Sequence, residues 1–279
     1  MEDDLQSDRS IHAQLREIEQ PHQIALVLLA HIVQRPKTWL LAHPEAHLSK
    51  AQADQLEGLL QRLEAGEPLP YLVGTQEFFG LEFEVNPSVL IPRPETEIMV
   101  ETALAWLQEH PSSRNGIDVG TGSGCIAISL VSNCPDLNML ATDLSETALN
   151  VATKNAQKHN VVDRISFSLS DLIPEDPQPV DLVCANPPYI PTEKLVEVNS
   201  LPWEPSLALD GGESGLDLVS KLLEKLPAFL NNPALILLET EATLGAQTLQ
   251  LAKHNFPNAE VSLHKDLFER DRMVRIELK

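Results

Sequence analysis

Gly116-Ile117-Asp118-Val119-Gly120-Thr121-Gly122-Ser123-Gly124 reads as a short strand, Gly116–Val119, that runs into a glycine-rich turn and then a helix over about 124–132. Glycines in such a turn let the chain reverse sharply. They also let a ligand come close to the backbone, with amide N–H groups directed at it. Gly122, Gly124 and Ala127 even satisfy the spacing G-x-G-x-x-A. A bare strand-to-helix turn uses the same residues, so this loop alone leaves both readings open.

Downstream of the loop, further strands are expected at Leu137–Thr142, Ile165–Leu169, Val180–Ala185, Ala234–Leu238, Glu260–His264 and Arg272–Leu278. Helices are expected near 145–158, 215–230 and 243–254. This alternation predicts an α/β fold with a mostly parallel, doubly wound sheet. Ligands in such sheets bind at the carboxyl ends of the strands, at the topological switch point. Upstream the pattern differs. Ala25, Leu28, Leu29 and Ile32 recur at helical spacing, as do Leu56, Leu59, Leu60 and Leu63, and no strand signal appears. Pro36, Pro44 and Gly66–Pro70 punctuate these helices. Phe78, Phe79, Leu81, Phe83 and Val85 read as an aromatic-rich hairpin ending at Asn86-Pro87. Pro94, Glu95 and Glu97 then make a good helix start. The expected organisation is a helical domain over 1–70, a linking hairpin over 71–92 and a catalytic domain over 93–279.

The 279 residues are 43% hydrophobic and 22% charged, which excludes a disordered chain. Twenty basic against 41 acidic residues give a net charge of −21, so tracking along a phosphate backbone is disfavoured. Cys125, Cys134 and Cys184 form no CxxC pair, consistent with a reducing cytoplasm. His43 and His47 flank Pro44, which interrupts the helix a zinc pair would need, so no metal site is expected. Glu2, Asp3 and Asp4 argue against a secretory leader, and the apolar run Ile24–Ala30 is too short to span a membrane.

Three further features carry chemistry. Asp143 ends the strand after the glycine loop, 23 residues beyond Gly120, where an acid accepts hydrogen bonds from both ribose hydroxyls. Its competing role, capping the next helix, suits Ser145 better. Asp171 follows the third strand, where it either accepts from an adenine amino group or is a turn residue. Asn186-Pro187-Pro188-Tyr189 follows the fourth strand and therefore lies at the same sheet edge as the glycine loop. The Asn186 side-chain oxygen and the Pro187 carbonyl each accept an N–H, and the two prolines hold both acceptors ready. Tyr189 offers a flat face to a planar amide or base. An NH2 conjugated to a carbonyl or a ring is a poor nucleophile. Two acceptors on its N–H bonds free its lone pair and stabilise the charge that develops as it is alkylated.

Together these residues resemble Class I S-adenosylmethionine-dependent methyltransferases with an N-P-P-Y motif, which modify planar amino groups. More specific segments are Glu67-Pro68-Leu69-Pro70-Tyr71-Leu72-Val73-Gly74, Glu77-Phe78-Phe79-Gly80-Leu81, Val89-Leu90-Ile91-Pro92-Arg93-Pro94-Glu95-Thr96-Glu97 and Glu204-Pro205-Ser206-Leu207-Ala208-Leu209-Asp210-Gly211-Gly212. They resemble the peptide chain release factor N5-glutamine methyltransferases (the HemK/PrmC family), from about residue 10 to the C-terminus.

The resemblance implies a small all-helical N-terminal domain that recognises substrate, a linking β-hairpin and a seven-stranded Class I catalytic sheet with a reversed last strand. It implies methylation of the glutamine in the Gly-Gly-Gln motif of class 1 release factors, with S-adenosyl-L-methionine converted to S-adenosyl-L-homocysteine. Carried over, Gly120, Thr121, Gly122, Ser123 and Gly124 hold the methionine part of the cofactor and Asp143 its ribose. Asp171 and Leu172 border the adenine. Asn186, which also borders the cofactor, and Pro187 grip the substrate amide beside Pro188 and Tyr189, with Arg93 and Phe79 near the pocket mouth. A cytoplasmic monomer without direct nucleic-acid or membrane contact is expected. The same tetrad would also serve an adenine-N6 nucleic-acid methyltransferase or a glutamine methyltransferase acting on a ribosomal protein. Two positions depart from the family pattern: Glu241, two residues after Glu239, and Glu269, before Arg270-Asp271-Arg272, where glycine is usual.

Overall fold

The computed structural model describes residues 9–195 and 203–279. Glu2, Asp3 and Asp4 lie outside the described residues. The chain divides into two compact units between Gly74 and Thr75.

The first unit is helical: α1 (Ile11–Glu17), α2 (His22–Val33), α3 (Lys37–Ala42), α4 (Lys50–Glu64) and α5 (Leu69–Val73). Two starts are capped as their sequence suggests. Ser10 accepts from Ala13 N–H on α1, and Ser49 with Gln52 forms a reciprocal capping box on α4. Ile11, Leu28, Leu29, Leu40, Leu56 and Leu72 form its core. An isolated antiparallel bridge joins Ser10 to His47, though nothing in that stretch reads as a strand.

In the second unit, β1 (Thr75–Phe78) pairs with β2 (Leu81–Glu84), so the hairpin proper is shorter than 71–92. Phe79 and Gly80 form its two-residue loop, both in the left-handed region at φ 50° and 71°. That is the backbone a tight hairpin demands. Asn155 ties β2 down: its amide bonds both Glu84 N–H and C=O, and also Ser123 O.

The sheet contains β3 (Asn115–Val119), β4 (Asn138–Asp143), β5 (Ile165–Leu169), β6 (Val180–Ala185), β7 (Leu230–Glu239), β8 (Glu260–Lys265) and β9 (Asp271–Leu278), in the order β5-β4-β3-β6-β7-β9-β8. Six strands run in one direction, and the last, β9, inserts antiparallel between β7 and β8. The helices are α6 (Glu97–Glu109), α7 (Cys125–Asn133), α8 (Glu146–Lys158), α9 (Asp217–Lys225) and α10 (Gly245–Asn255). Burial on both faces explains why central strands read as nearly unbroken apolar runs. Leu182, Cys184, Leu235 and Leu237 pack with α6 and α7, while Val183, Ala185, Ile236 and Leu238 pack with α9 and α10.

One expectation is corrected. The helix read over 215–230 ends at Lys225, a single 3-10 turn follows over Leu226–Ala228, and β7 begins at Leu230. Pro227 is the reason: it has no N–H to continue the helical ladder, and its ring crowds the preceding turn.

Chain order places β4 and β5 on one side of β3 and β6 and β7 on the other. The strand order therefore reverses between β3 and β6, which opens a crevice at their carboxyl ends.

Candidate active site

Parallel pairing sets Val119 of β3 beside Thr142 of β4 on one flank and beside Ala185 of β6 on the other. The residues that follow, Gly120, Asp143 and Asn186, therefore emerge together at one sheet edge. They border one cavity of about 530 Å³. Gly122, Asp171, Leu172 and Pro188 border it too, with walls from Pro87–Leu90 and Pro205–Ala208.

Four amides of the glycine loop are bonded within the protein. Gly120 and Thr121 N–H donate to Thr142 O at 2.9 and 2.8 Å, Gly124 N–H donates to Thr121 O at 2.8 Å, and Gly122 N–H donates to Asp143 Oδ2 at 2.9 Å. What Gly120 and Gly122 supply is space. Both have positive φ, and a Cβ on either would meet nothing within 4 Å. Gly124 instead permits close packing, since a Cβ there would lie 2.8 Å from Ile128 and 3.2 Å from Ala152.

Asp143 accepts from Gly122 N–H and, through Oδ1, from Ser145 N–H at 2.9 Å. The carboxylate, which Leu144 N–H also faces, keeps acceptor capacity to spare. Burial pushes its pKa up while the backbone hydrogen bonds pull it down. Ser145 does cap α8, accepting from Ala148 N–H. Leu172, at φ 69°, is the centre of a three-residue turn in which Ile173 N–H donates to Asp171 O at 3.0 Å. Such strain persists only where the surroundings enforce it. Here Thr142 Oγ1 holds Leu172 O at 2.7 Å.

Beneath the loop, Asp118 was not singled out in the sequence. It is fully buried, and burial pushes its pKa up to about 6. Its Oδ2 accepts from Thr121 Oγ1 and Ala127 N–H, while Oδ1 has no partner among the described residues. Open glycine faces and the acceptors of Asp143, both on the cavity, fit a nucleoside such as S-adenosylmethionine.

At the opposite wall, Asn186 Nδ2 donates to Thr96 Oγ1 at 3.3 Å, and Thr96 Oγ1 donates to Glu239 Oε2 at 2.6 Å. The amide NH2 is thereby occupied. Among the described residues no donor is bonded to Asn186 Oδ1 or to Pro187 O. Tyr189 is held neutral, its pKa raised to about 12, chiefly by burial. Arg93 donates to Glu204 Oε2 at 2.5 Å, and the same carboxylate accepts Ile91 N–H at 3.0 Å. This pins the segment before α6 to the segment after the tetrad, with Arg93 close enough to Tyr189 to act on its charge. Phe79 stands apart from the cavity. Its N–H is bonded to Glu97 Oε1 at 2.8 Å, and its ring packs on the core around α6 and α7. Burial also raises the thiol pKa of Cys125, to about 12, and that of Cys184, so both stay protonated.

The family models that match are the PrmC N-terminal domain, over residues 9–74, and the methyltransferase small domain, over 96–199. A release factor glutamine methyltransferase of Moorella thermoacetica is 41% identical over 85% of this chain and 84% of its own length. Another, from Nitratidesulfovibrio vulgaris, is 34% identical over 92% of this chain and 88% of its own. The chain belongs to the release factor glutamine methyltransferase family. It also matches a bifunctional methyltransferase of Rickettsia prowazekii, 35% identical over 93% of this chain, but it spans only about half (54%) of that relative's length. Among solved structures, the hMettl16 catalytic domain in complex with an RNA hairpin superposes with a TM-score of 0.53 at 18% identity, covering 82% of each chain. A T. thermophilus 16S rRNA methyltransferase superposes with the same score at 15% identity, covering 74% of this chain and 50% of its own. These two likenesses show the Class I methyltransferase fold alone.

The two departures from the pattern of this methyltransferase family are now placed. Glu269 sits at φ 61°, a left-handed backbone that suits glycine, in the turn between β8 and β9. Glu241 accepts from Thr243 N–H and Oγ1 in the turn before α10. Neither borders the cavity. Gly211, by contrast, packs on the tetrad itself: a Cβ there would lie 2.7 Å from Tyr189 Cα and 2.8 Å from Pro188 O. Backbone atoms cannot step aside as a flexible side chain can. Gly211→Ala is therefore expected to lose roughly 1–3 kcal/mol of stability through overpacking. It is also expected to lower kcat by shifting the tetrad. Thermal unfolding and methyl-transfer rates check this; unchanged values for both would show that the loop yields freely.

Proposed function

We propose that this chain transfers a methyl group from S-adenosylmethionine to the side-chain amide nitrogen (N5) of the glutamine in the Gly-Gly-Gln motif of class 1 peptide chain release factors. The observation that carries this reading is the orientation of Asn186. Its NH2 is turned onto Thr96, its oxygen is left for a donor, and the residue borders the cavity.

In this reading Gly120 and Gly122 leave room for the methionine part of the cofactor, Asp143 accepts from the ribose, and Asp171 and Leu172 border the adenine. When bound, the cofactor supplies a methyl already activated by its sulfonium. The protein's remaining task is orientation. Asn186 Oδ1 and Pro187 O each accept one N–H of the substrate carboxamide. That fixes the nitrogen and stabilises positive charge on it as the new N–C bond forms. Alignment of this kind contributes up to ~7–11 kcal/mol in the best cases. Tyr189, neutral and flat, packs beside the amide. The surplus proton leaves to water, so no side chain is assigned as general base. The helical unit, proposed as a domain over 1–70, recognises the release factor away from the reacting amide, and the hairpin over 71–92 links it to the catalytic domain over 93–279. The enzyme acts as a cytoplasmic monomer and makes no direct contact with nucleic acid. Among the described residues, no helix is long and apolar enough to cross a membrane.

The test is mass spectrometry of purified class 1 release factor after incubation with the protein and cofactor, with DNA and ribosomal protein as parallel substrates. One added methyl on the Gly-Gly-Gln glutamine is expected. Methyl transfer to either parallel substrate, with the release factor unmodified, would overturn the assignment.

A further inference from the structure

Thr96 and Glu239 lie 143 positions apart in the chain and meet behind the tetrad. Both are buried, at 3% exposure each. A hydroxyl has one proton to give and lone pairs to receive. Thr96 gives its proton to the Glu239 carboxylate and therefore offers Asn186 only lone pairs. Asn186 can meet lone pairs only with its NH2. Were the amide flipped, its oxygen would face the Thr96 oxygen with no proton between them. The carboxylate thus dictates, through Thr96 and through its own interaction with the Asn186 amide, which end of that amide faces the cavity.

We propose that Glu239 is a positioning residue that acts through the Thr96 hydroxyl to hold the Asn186 carboxamide with its oxygen toward the substrate. This deepens the proposed function and rests on it, because the oxygen so presented is the one that accepts the substrate N–H. An ionised Glu239 also polarises the chain of hydrogen bonds and strengthens Asn186 Oδ1 as an acceptor.

The arrangement has a pH signature. Burial raises the Glu239 pKa to about 7, against the opposing effects of the Thr96 and Asn186 hydrogen bonds and of the Arg272 charge. The other groups that face it are Glu95 before α6, Cys125 on α7 and Tyr189 after β6. Ionised Glu239 only accepts. Protonated, it can donate to Thr96 Oγ1, which frees the Thr96 proton for Asn186 Oδ1 and removes the acceptor from the substrate. Turnover therefore rises with pH through about 7.

The experiment measures kcat and KM for release factor between pH 5.5 and 9, with wild type, Thr96→Val, Thr96→Ser and Glu239→Gln. Thr96→Val keeps shape but loses the hydroxyl. Its kcat should fall about 10- to 100-fold, as when groups that orient a functional side chain are removed, with KM for cofactor little changed. Thr96→Ser restores the hydroxyl and should recover most of the rate with the same acid limb. Glu239→Gln should be slower and should lose the limb near pH 7. In parallel, asparagine-selective 15N labelling follows the Asn186 side-chain NH2 signals, identified by their loss in Asn186→Asp, with no substrate present. They should shift through pH 7 in wild type and stay fixed in Glu239→Gln. If wild type methylates release factor while Thr96→Val matches it in kcat and pH profile, the positioning role is wrong. If wild type does not act on release factor, the functional reading fails, and the Asn186 titration still decides this inference: signals invariant with pH would overturn it.

Discussion

Replacing Asn186 with alanine should lower kcat by about 10²- to 10³-fold, the cost of losing one preorganised group that stabilises transition-state charge. The physical reason is local. A glutamine carboxamide nitrogen is weakly nucleophilic because its lone pair is shared with the carbonyl, and one of the two acceptors that favour its alkylation would be gone. The Pro187 carbonyl would remain, so some residual turnover is expected. Cofactor affinity should stay near the wild-type value, since the ribose acceptor Asp143 and the open faces of Gly120 and Gly122 are untouched by the change. Asn186→Asp sharpens the test. It keeps the shape but brings a second carboxylate against Thr96, whose single proton is already given to Glu239. Steady-state methyl transfer to release factor, with calorimetry of S-adenosylhomocysteine binding, separates the two effects. Wild-type turnover in Asn186→Ala would remove the tetrad from the chemistry.

The second large effect falls on binding. Asp143→Ala should weaken cofactor affinity by about 1.5–3 kcal/mol, the range for hydrogen bonds to a charged acceptor. That corresponds to roughly 10- to 150-fold in Kd. Two losses combine, because Asp143 also fixes Gly122 N–H and Ser145 N–H and so holds the loop against the start of α8. Asp143→Asn keeps one oxygen acceptor without the charge and should fall between wild type and alanine. Calorimetry reads the series directly, and a flat series would leave the ribose without its assigned partner.

The placement of the glycine loop, Asp143 and the tetrad was legible in the sequence because each ends or follows a strand, and parallel strands deliver such residues to one edge. The strands themselves were legible because burial on both faces leaves apolar runs such as Leu182–Ala185. What local pattern could not show was which groups the loop amides bond. Glycine spacing does not reveal that Gly120 and Thr121 N–H bond Thr142 O, or that Gly122 N–H bonds Asp143. Nor could it pair Thr96 with Glu239. Thr96 reads simply as part of a helix start, and Glu239 as the end of a buried strand. A buried acid at the carboxyl end of a central strand was the available signal, since an acid there needs a partner. Phe79 illustrates the opposite error. The family resemblance puts it near the pocket mouth, yet it serves a hairpin turn and a core. Gly211 was visible only as part of a resembling segment; its reason, contact with the tetrad backbone, is tertiary.

The most direct measurement is a crystal structure of the protein with S-adenosylhomocysteine and a release factor whose Gly-Gly-Gln glutamine is intact. Asn186 Oδ1 and Pro187 O should each lie about 3 Å from the glutamine side-chain nitrogen, which should face the cofactor sulfur, with Asn186 Nδ2 still on Thr96. Either oxygen turned away from that nitrogen, or the Asn186 amide found flipped, would contradict the mechanism.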